Sequence, residues 1–129
     1  KVLEEDLLKF ITDKGLDDNI LLVGIQSNPY PYIGLSDIVV HPSRFEGKSI
    51  ALDEAKILCK PIVVTNFSTV GDQFENGKNG TICGMSGKAV ANAIIELIND
   101  SSLQDSYRTY LESHIIDNSS EVNKLYTYL

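Results

Sequence analysis

The sequence is short of cysteine, of basic residues and of long apolar runs, and each shortage excludes a class of protein. Only two of the 129 residues are cysteines, Cys59 and Cys83, so a disulfide scaffold and a four-cysteine metal cluster are both excluded. No apolar run approaches the roughly 18 residues that a membrane-spanning helix needs. Lysine and arginine number 11 against 18 aspartates and glutamates, a net charge of −7, which argues against a broad nucleic-acid surface.

The start of the chain lacks both a methionine and the apolar stretch of a signal peptide. We therefore expect a processed or excised piece of a longer protein. Hydrophobic residues make up 43% and charged residues 22% of the chain, which is typical of an ordinary globular protein. The length predicts a single domain over residues 1–129, with its last helices beginning at about residue 101.

Helical and strand-like apolar patterns alternate along the chain. Helices are predicted over residues 2–14, from Pro29, and over 49–58, 88–98, 101–116 and 121–129. Short apolar runs bounded by glycine or proline predict four buried strands, over residues 20–24, 37–42, 61–65 and 80–84. Such alternation predicts an α/β fold with a parallel sheet and right-handed crossovers. A complete doubly wound domain has more strands than four, which again favours an excised piece.

The turn after the second predicted strand, Ser43–Ser49, is the richest candidate for a ligand site. Open α/β sheets bind ligands at the carboxyl ends of their strands, over helix N-termini. Gly47 lets the backbone approach a ligand closely, and the N–H groups of residues 47–50 would face an anion. Glu46 stands at the entrance, and Glu54 lies two helical turns beyond Gly47, about 10 Å along the helix axis.

Two interpretations of this turn remain open on the pattern alone. In the first, a phosphate binds at the helix start and a ribose diol binds Glu54. In the second, a serine and a glutamate merely cap the helix and Glu54 is a solvated surface residue.

The sequence around the turn resembles the donor-binding, C-terminal domain of retaining glycosyltransferases of group 1 (family 4), which have the GT-B fold of two Rossmann-like domains. Its hallmark is a pair of glutamates with seven residues between them, and Glu46 and Glu54 have that spacing. The resemblance extends over roughly residues 15–100. The matching segments are Asn28–Tyr32, Asp37–Gly47, Asp53–Ala55, Lys60–Thr65 and Glu75–Gly80.

The resemblance implies a role for each matched residue. Glu46 would be the catalytic residue that contacts the hydroxyls of the donor sugar, and Glu54 would bind the ribose hydroxyls. Lys48 and Ser49 depart from the apolar or glycine-rich residues of many relatives. The remaining positions are backbone contacts, namely Gly47, Lys48, Ser49 and Ile50 along the diphosphate and sugar, and Val23, Gly24 and Ile25 beside the base.

The resemblance also implies a reaction, the transfer of a sugar from a nucleotide-diphosphate sugar to a glycan or lipid-linked acceptor in surface polysaccharide biosynthesis. No metal or other cofactor and no nucleic acid are expected. The implied location is the cytoplasm, with peripheral association at the inner face of the membrane left open. The acceptor domain lies outside the chain, so we expect the chain alone to be inactive. The alternative is a non-catalytic nucleotide- or sugar-binding module or a partner subunit.

Several other conspicuous residues are expected to be structural. We expect His41 to pack at a strand end, His114 to lie at the surface, and Cys59 and Cys83 to be buried thiols. Gly84–Lys88 imitates a phosphate-binding P-loop, but it has too few residues between its glycines and lacks the required Ser or Thr. A helix cap is predicted there instead.

Overall fold

The structure, a computed structural model, describes residues 2–114 and leaves Lys1 and residues 115–129 undescribed. The predicted helix over residues 121–129, and the end of the one over 101–116, lie outside the described residues. None of the helices within residues 2–114 is long and apolar enough to cross a bilayer. The elements, in chain order, are α1 (Val2–Asp13), α2 (Tyr30–Leu35), β1 (Val39–His41), α3 (Ile50–Ile57), β2 (Ile62–Thr65), a 3-10 turn (Val70–Asp72), β3 (Thr81–Cys83), α4 (Gly87–Asn99) and α5 (Ser101–Ser113).

The three strands form one parallel sheet in the order β1-β2-β3. Val40 lies opposite Val63, and Val64 lies opposite Ile82. All four residues of β2 are buried, because this central strand is paired along both edges and covered on both faces. The predicted Rossmann-like arrangement of a parallel sheet flanked by helices is confirmed.

The prediction of a further strand over residues 20–24 is wrong. This segment joins no sheet, and its apolar side chains at Ile20–Val23 are between 37% and 82% exposed. A strand needs a neighbour to take up its backbone hydrogen bonds, and no strand among the described residues pairs with this one. The apolar run indicates a tendency to be buried, but burial also requires a partner.

The other strands and helices lie close to their predicted positions. β2 and β3 fall inside the predicted 61–65 and 80–84, while β1 is shorter than the predicted 37–42. β1 is also less buried than predicted, since Val40 is 37% exposed whereas Val63 is fully buried. This difference follows from topology, because β1 lies at an edge of the sheet.

The core has two parts, one on each face of the sheet, because alternate residues of β2 point to opposite faces. On one face Ile62 and Val64 pack with residues of α3 and of the loop that follows β2; the others in this cluster are Leu52, Ala55, Phe67, Val70 and Phe74. On the other face Val63 packs with Ala93, Leu97 and Tyr107 from α4 and α5. Each fully buried aliphatic side chain of this kind stabilises the fold by about 1.5–3 kcal/mol. The loop after β2 is therefore fixed by buried residues of its own.

The turn before β3, residues 75–80, is fixed by its asparagines and by one glycine. The Asn79 side chain accepts a hydrogen bond from the backbone N–H of Glu75 at 2.9 Å, and Asn76 accepts one from Ile82 at 2.8 Å. Gly80 has a φ of +154°, and a Cβ there would collide with the Ile62 carbonyl and the Phe74 ring. Only glycine fits this contact between the turn and the core.

Candidate functional site

The loop of residues 42–49 leaves the carboxyl end of β1 and turns into the N-terminus of α3. Ser49 is the N-cap, and its hydroxyl accepts a hydrogen bond from the backbone N–H of Leu52 at 3.4 Å. Ser49 is only 4% exposed, so its capping oxygen is shielded from competing water. A helix start therefore lies at the strand end, where the sequence predicts the site.

Glu46 is held within the loop by two neighbours. The Ser43 hydroxyl donates to its Oε1 at 3.1 Å, and His41 Nε2 lies 3.3 Å from the same oxygen. His41 packs edge-on against Phe67, with ring centroids 6.3 Å apart, so the expectation of a packed strand-end histidine is confirmed. Its contact with the candidate catalytic carboxylate was not predicted.

These residues do not form a nucleophilic triad, although a serine, a histidine and a glutamate come together. The Ser49 hydroxyl lies 3.3 Å from His41 Nε2, the same nitrogen that meets Glu46. A triad needs the hydroxyl and the carboxylate on different ring nitrogens. The Ser49 oxygen is also engaged in capping α3. The arrangement orients Glu46 rather than activating a serine.

A groove of about 500 Å³ runs along the outer side of α3. It brings together three predicted site residues and adds Tyr30 of α2; its lining residues are Tyr30, Lys48, Ile50, Asp53, Glu54 and Ile57. Lys48 Nζ lies 3.6 Å from Asp53 Oδ2. The groove thus offers an aromatic ring, a cation and carboxylates within the space of a small polar ligand.

Backbone donors are available at the start of α3, though fewer than predicted. The Ser49 N–H donates to Gln73 Oε1 at 2.7 Å. Among the described residues, the N–H groups of Gly47, Lys48 and Ile50 have no protein acceptor. A Cβ at Gly47 would meet nothing within 4 Å, so the space in front of the loop is open. The N–H groups of these three residues and the positive end of the helix dipole are therefore available to a ligand at the start of α3.

Val23, Gly24 and Ile25 do not reach this groove. They follow α1 in an irregular segment, where Ile25 is fully exposed and Gly24 has a φ of +65°. Val23 and Gly24 instead line a separate surface groove beside α1. Their predicted place beside a base stays a prediction.

Sequence reasoning missed the loop after β2 as a part of the site. Gln73 and Thr69 both hydrogen-bond to the backbone of the Glu46–Ser49 loop. They lie more than 20 positions away in sequence, in a stretch predicted only as loop with one helical turn. The available signal was two polar residues interspersed with apolar ones, here Val70 and Phe74, which are buried.

The two cysteines and the second histidine lie outside the groove beside α3. Cys59 and Cys83 are half-buried rather than buried, and burial raises the pKa of both thiols, which keeps them in the less nucleophilic protonated form. His114 is exposed, as predicted. Between residues 2 and 114, no group of three His, Cys, Asp or Glu side chains could hold a metal ion. The expectation of a metal-free site stays a prediction.

Similar proteins of known activity include two from Staphylococcus aureus. The poly(ribitol-phosphate) alpha-N-acetylglucosaminyltransferase of strain COL is 27% identical over 128 residues, 98% of this chain. The capsular polysaccharide biosynthesis glycosyltransferase CapM is 33% identical over 104 residues, 80% of this chain. Each match covers 26% of the relative, so the chain spans about a quarter of the length of these proteins.

Solved structures show the same fold. A variant of TarM from S. aureus, in complex with fondaparinux, alpha-GlcNAc-glycerol and UDP, superposes with a TM-score of 0.83 at 25% identity, over 97% of this chain and 26% of that one. HepE from Anabaena, in complex with UDP, gives a TM-score of 0.82 at 21% identity, over 97% of this chain and 36% of that one.

The family model of glycosyl transferases group 1 matches residues 2–114. That match includes the loop at the start of α3, both candidate glutamates and the whole sheet. The resemblance predicted from the sequence is confirmed, and the chain belongs to the group 1 glycosyl transferases.

Proposed function

We propose that this chain is the donor-binding part of a retaining glycosyltransferase, which transfers a sugar from a nucleotide-diphosphate sugar to a glycan or lipid-linked acceptor in surface polysaccharide biosynthesis. The observation that carries the proposal is the position of Glu54 in a groove shared with Lys48 and Ile50 at the start of α3. Membership of the family supports it, as does the UDP bound to TarM and HepE.

A nucleotide-diphosphate sugar has the length that this site requires. With its phosphates at the N–H groups of Gly47, Lys48 and Ile50, its ribose would extend toward Glu54, which lies four residues beyond Ile50, about 6 Å along α3 by the 1.5 Å rise per residue. A carboxylate can accept hydrogen bonds from two adjacent hydroxyls, and such charge-assisted bonds are among the strong ones. Glu54 is therefore assigned to the ribose diol.

Glu46 is assigned to the donor sugar. Its Oε1 is engaged by Ser43 and lies beside His41, which fixes the direction of the carboxylate. Among residues 2–114, its Oε2 has no hydrogen-bond partner, so this oxygen is available to a sugar hydroxyl. The fixed carboxylate would hold the sugar while the bond to the diphosphate breaks.

The chemical task at this end of the donor is to stabilise the departing diphosphate. Oriented backbone N–H groups meet the developing phosphate charge without having to reorganise. The exposed ammonium of Lys48, at the same helix start, adds positive charge. These groups would do what a divalent cation does in other transferases, which is the basis for the metal-free prediction.

The proposal includes retention at the anomeric carbon and an acceptor bound by another part of the protein. It also includes a cytoplasmic location, association with the inner face of the membrane, and inactivity of these 129 residues alone. Their support is the family and the names of the relatives, of which this chain spans about a quarter.

Glu54→Gln, made in the full natural protein that contains this chain, tests the proposal. The exchange keeps the shape of the side chain and removes its charge, so the melting temperature should not move. Binding of UDP, measured by calorimetry, should weaken about tenfold or more, which corresponds to about 1.4 kcal/mol. The loss should shrink for 2′,3′-dideoxy-UDP, which has no diol.

Glu96→Gln, an exposed glutamate on α4, is the matched control and should leave binding unchanged. Equal UDP affinities for wild type and Glu54→Gln would remove Glu54 from the site. They would also remove the main reason to prefer a transferase donor site over a plain nucleotide-binding module.

A further inference from the structure

The loop after β2 lies across the start of α3 and hydrogen-bonds to its backbone carbonyls. The Thr69 hydroxyl donates to the Glu46 carbonyl at 2.6 Å and lies 3.2 Å from the Gly47 carbonyl. The Gln73 side-chain amide donates to the Ser49 carbonyl at 3.2 Å and accepts from the Ser49 N–H at 2.7 Å. Three of the four carbonyls from Glu46 to Ser49 are thus held from one side.

Gln73 is itself fixed by its surroundings. Its backbone carbonyl accepts a hydrogen bond from Lys56 Nζ at 2.8 Å, and Lys56 also pairs with Asp53 at 3.0 Å. The Lys56 side chain is only 10% exposed, and the neighbouring Phe74 is buried in the core. The backbone of Gln73 is therefore fixed, and so is the point from which its side-chain amide reaches Ser49.

Because peptide units are planar, hydrogen bonds to these carbonyls also fix the direction of the N–H group of each following residue. In a trans peptide the carbonyl of one residue and the N–H of the next point in opposite directions. Holding the carbonyls of Glu46, Gly47 and Ser49 on the side of the β2 loop points the next N–H groups away from it. Those groups belong to Gly47, Lys48 and Ile50, the three that lack a protein acceptor among the described residues.

We infer that Thr69 and Gln73 are positioning residues for the donor diphosphate, an inference that rests on the proposed function. They do not touch the ligand. They hold three peptide planes so that three N–H groups converge on the phosphates, and they prevent the loop from rotating these donors away from the phosphates. Preorganisation of this kind strengthens binding, because the loop then loses less freedom when the ligand arrives.

The inference predicts a loss confined to the phosphate part of the ligand. In the full natural protein, Gln73→Met keeps the side-chain length and removes the amide, and Thr69→Val keeps the shape and removes the hydroxyl. Each should weaken binding of UDP about fivefold to tenfold in calorimetry and leave the affinity for uridine unchanged. Thr69→Ser, which restores the hydroxyl, should bind UDP like the wild type.

Gln104→Met is the matched control. Gln104 donates from its side chain to the Leu97 carbonyl at 2.8 Å, the same kind of bond at a distance from α3, so UDP binding should stay unchanged. If Gln73→Met does not fold, the Thr69→Val and Thr69→Ser pair decides the question.

Equal losses for UDP and uridine would show a general distortion of the domain and overturn the inference, as would unchanged UDP affinity in both variants. A wild-type protein that binds none of UDP, GDP and ADP would overturn the proposed function, and the inference with it. Wild-type UDP binding with no effect of either variant would overturn the inference alone.

Discussion

Two helices of this protein follow parallel strands and begin in nearly the same way, yet only one start has the features of a site. α3 follows Gly47–Ser49 and α4 follows Gly84–Ser86, each with a glycine two residues before a capping serine. The serine hydroxyls accept from the N–H of Leu52 at 3.4 Å and of Ala89 at 3.1 Å. The local sequence thus produces two similar helix starts, each after the carboxyl end of a strand.

The two starts differ in what surrounds them. The first is buried at Ser49 and held by Thr69 and Gln73, whereas Ser86 is exposed and no side chain from another segment within residues 2–114 bonds to its loop. Where the first start has its two glutamates, the second has Cys83 and Ala91 at the corresponding positions. A capping serine is enough to begin a helix. A ligand site also needs side chains from elsewhere in the fold that hydrogen-bond to its loop, and charges that suit the ligand.

Valine at each glycine should give the largest contrast between the two starts. At Gly47 the added side chain meets open space, beside the backbone that is proposed to bind the diphosphate. We expect Gly47→Val to leave the melting temperature nearly unchanged and to weaken UDP binding by about tenfold or more, the equivalent of about 1.4 kcal/mol. At Gly84 a Cβ would lie 3.2 Å from the Ala89 Cβ, so Gly84→Val should cost about 1–3 kcal/mol of stability and leave binding unchanged.

Calorimetry with UDP and thermal unfolding of both variants measure this contrast. If Gly47→Val unfolds while the remaining folded protein binds UDP normally, Gly47 is structural and the site at the start of α3 is misassigned.

Alanine at each capping serine should give a smaller contrast, in stability. Ser49→Ala leaves the N–H of fully buried Leu52 without its acceptor and also removes the contact with His41, so we expect a loss of about 2 kcal/mol. Ser86→Ala should cost about 0.5–1 kcal/mol, because water can replace the exposed serine. Urea unfolding at constant m-value measures the loss of unfolding free energy in each variant. Equal losses would show that the burial of Ser49 adds nothing to the stability that capping provides.

The strands and helices that could be predicted are those whose hydrophobic pattern lies within one continuous segment. β2 is a run of four apolar or β-branched residues after a proline, and α4 repeats its apolar residues at the helical period, so each pattern contains the reason for its burial. Residues 20–24 have the same kind of apolar run as β2 but lack a pairing neighbour among the described residues. The pattern encodes what a segment prefers, whereas pairing depends on the rest of the fold.

The residues of the candidate site show the same difference between local and tertiary information. The positions of Glu46, Gly47 and Glu54 around the start of α3 could be predicted, because a strand, a turn and a helix within 20 residues fix their relation; their roles toward a ligand stay predictions. Gln73 could not, because its contact with Ser49 spans 24 positions and depends on how the loop after β2 packs against the core. The missing information is tertiary, and no spacing rule in the sequence contains it.

The smallest expected effect is in the turn that leads through β3 to the second helix start. Lys78 Nζ lies 2.6 Å from Glu75 Oε2; this hydrogen bond, followed by the charge of the lysine, lowers the pKa of Glu75 below its ordinary value of 4.5. The same pair raises the pKa of Lys78 above 10.5, so the lysine stays charged in acid and at neutral pH.

A carboxylate with a lowered pKa stabilises the folded state above its unfolded pKa, and that contribution is lost as the pH falls through the folded value. Lys78→Gln should therefore lower the melting temperature slightly at pH 7, and the difference from wild type should vanish in strong acid. Thermal unfolding from pH 7 down to pH 2 measures this, with exposed Lys88→Gln as the control. A difference that persists unchanged at pH 2 would show that the ion pair is not its source.

The order of the strands has a consequence for how the protein is made. β1, β2 and β3 lie side by side in the order in which the ribosome releases them, at about 5–20 residues per second. Within residues 2–114, each of these strands can therefore join the one released before it, without waiting for a partner that is synthesised later. The loop with Glu46 is synthesised before the loop with Thr69 and Gln73, so a nascent chain carries the residues proposed to bind the donor before it carries those proposed to position them. We expect the nascent chain to bind UDP only after the second loop has left the ribosome.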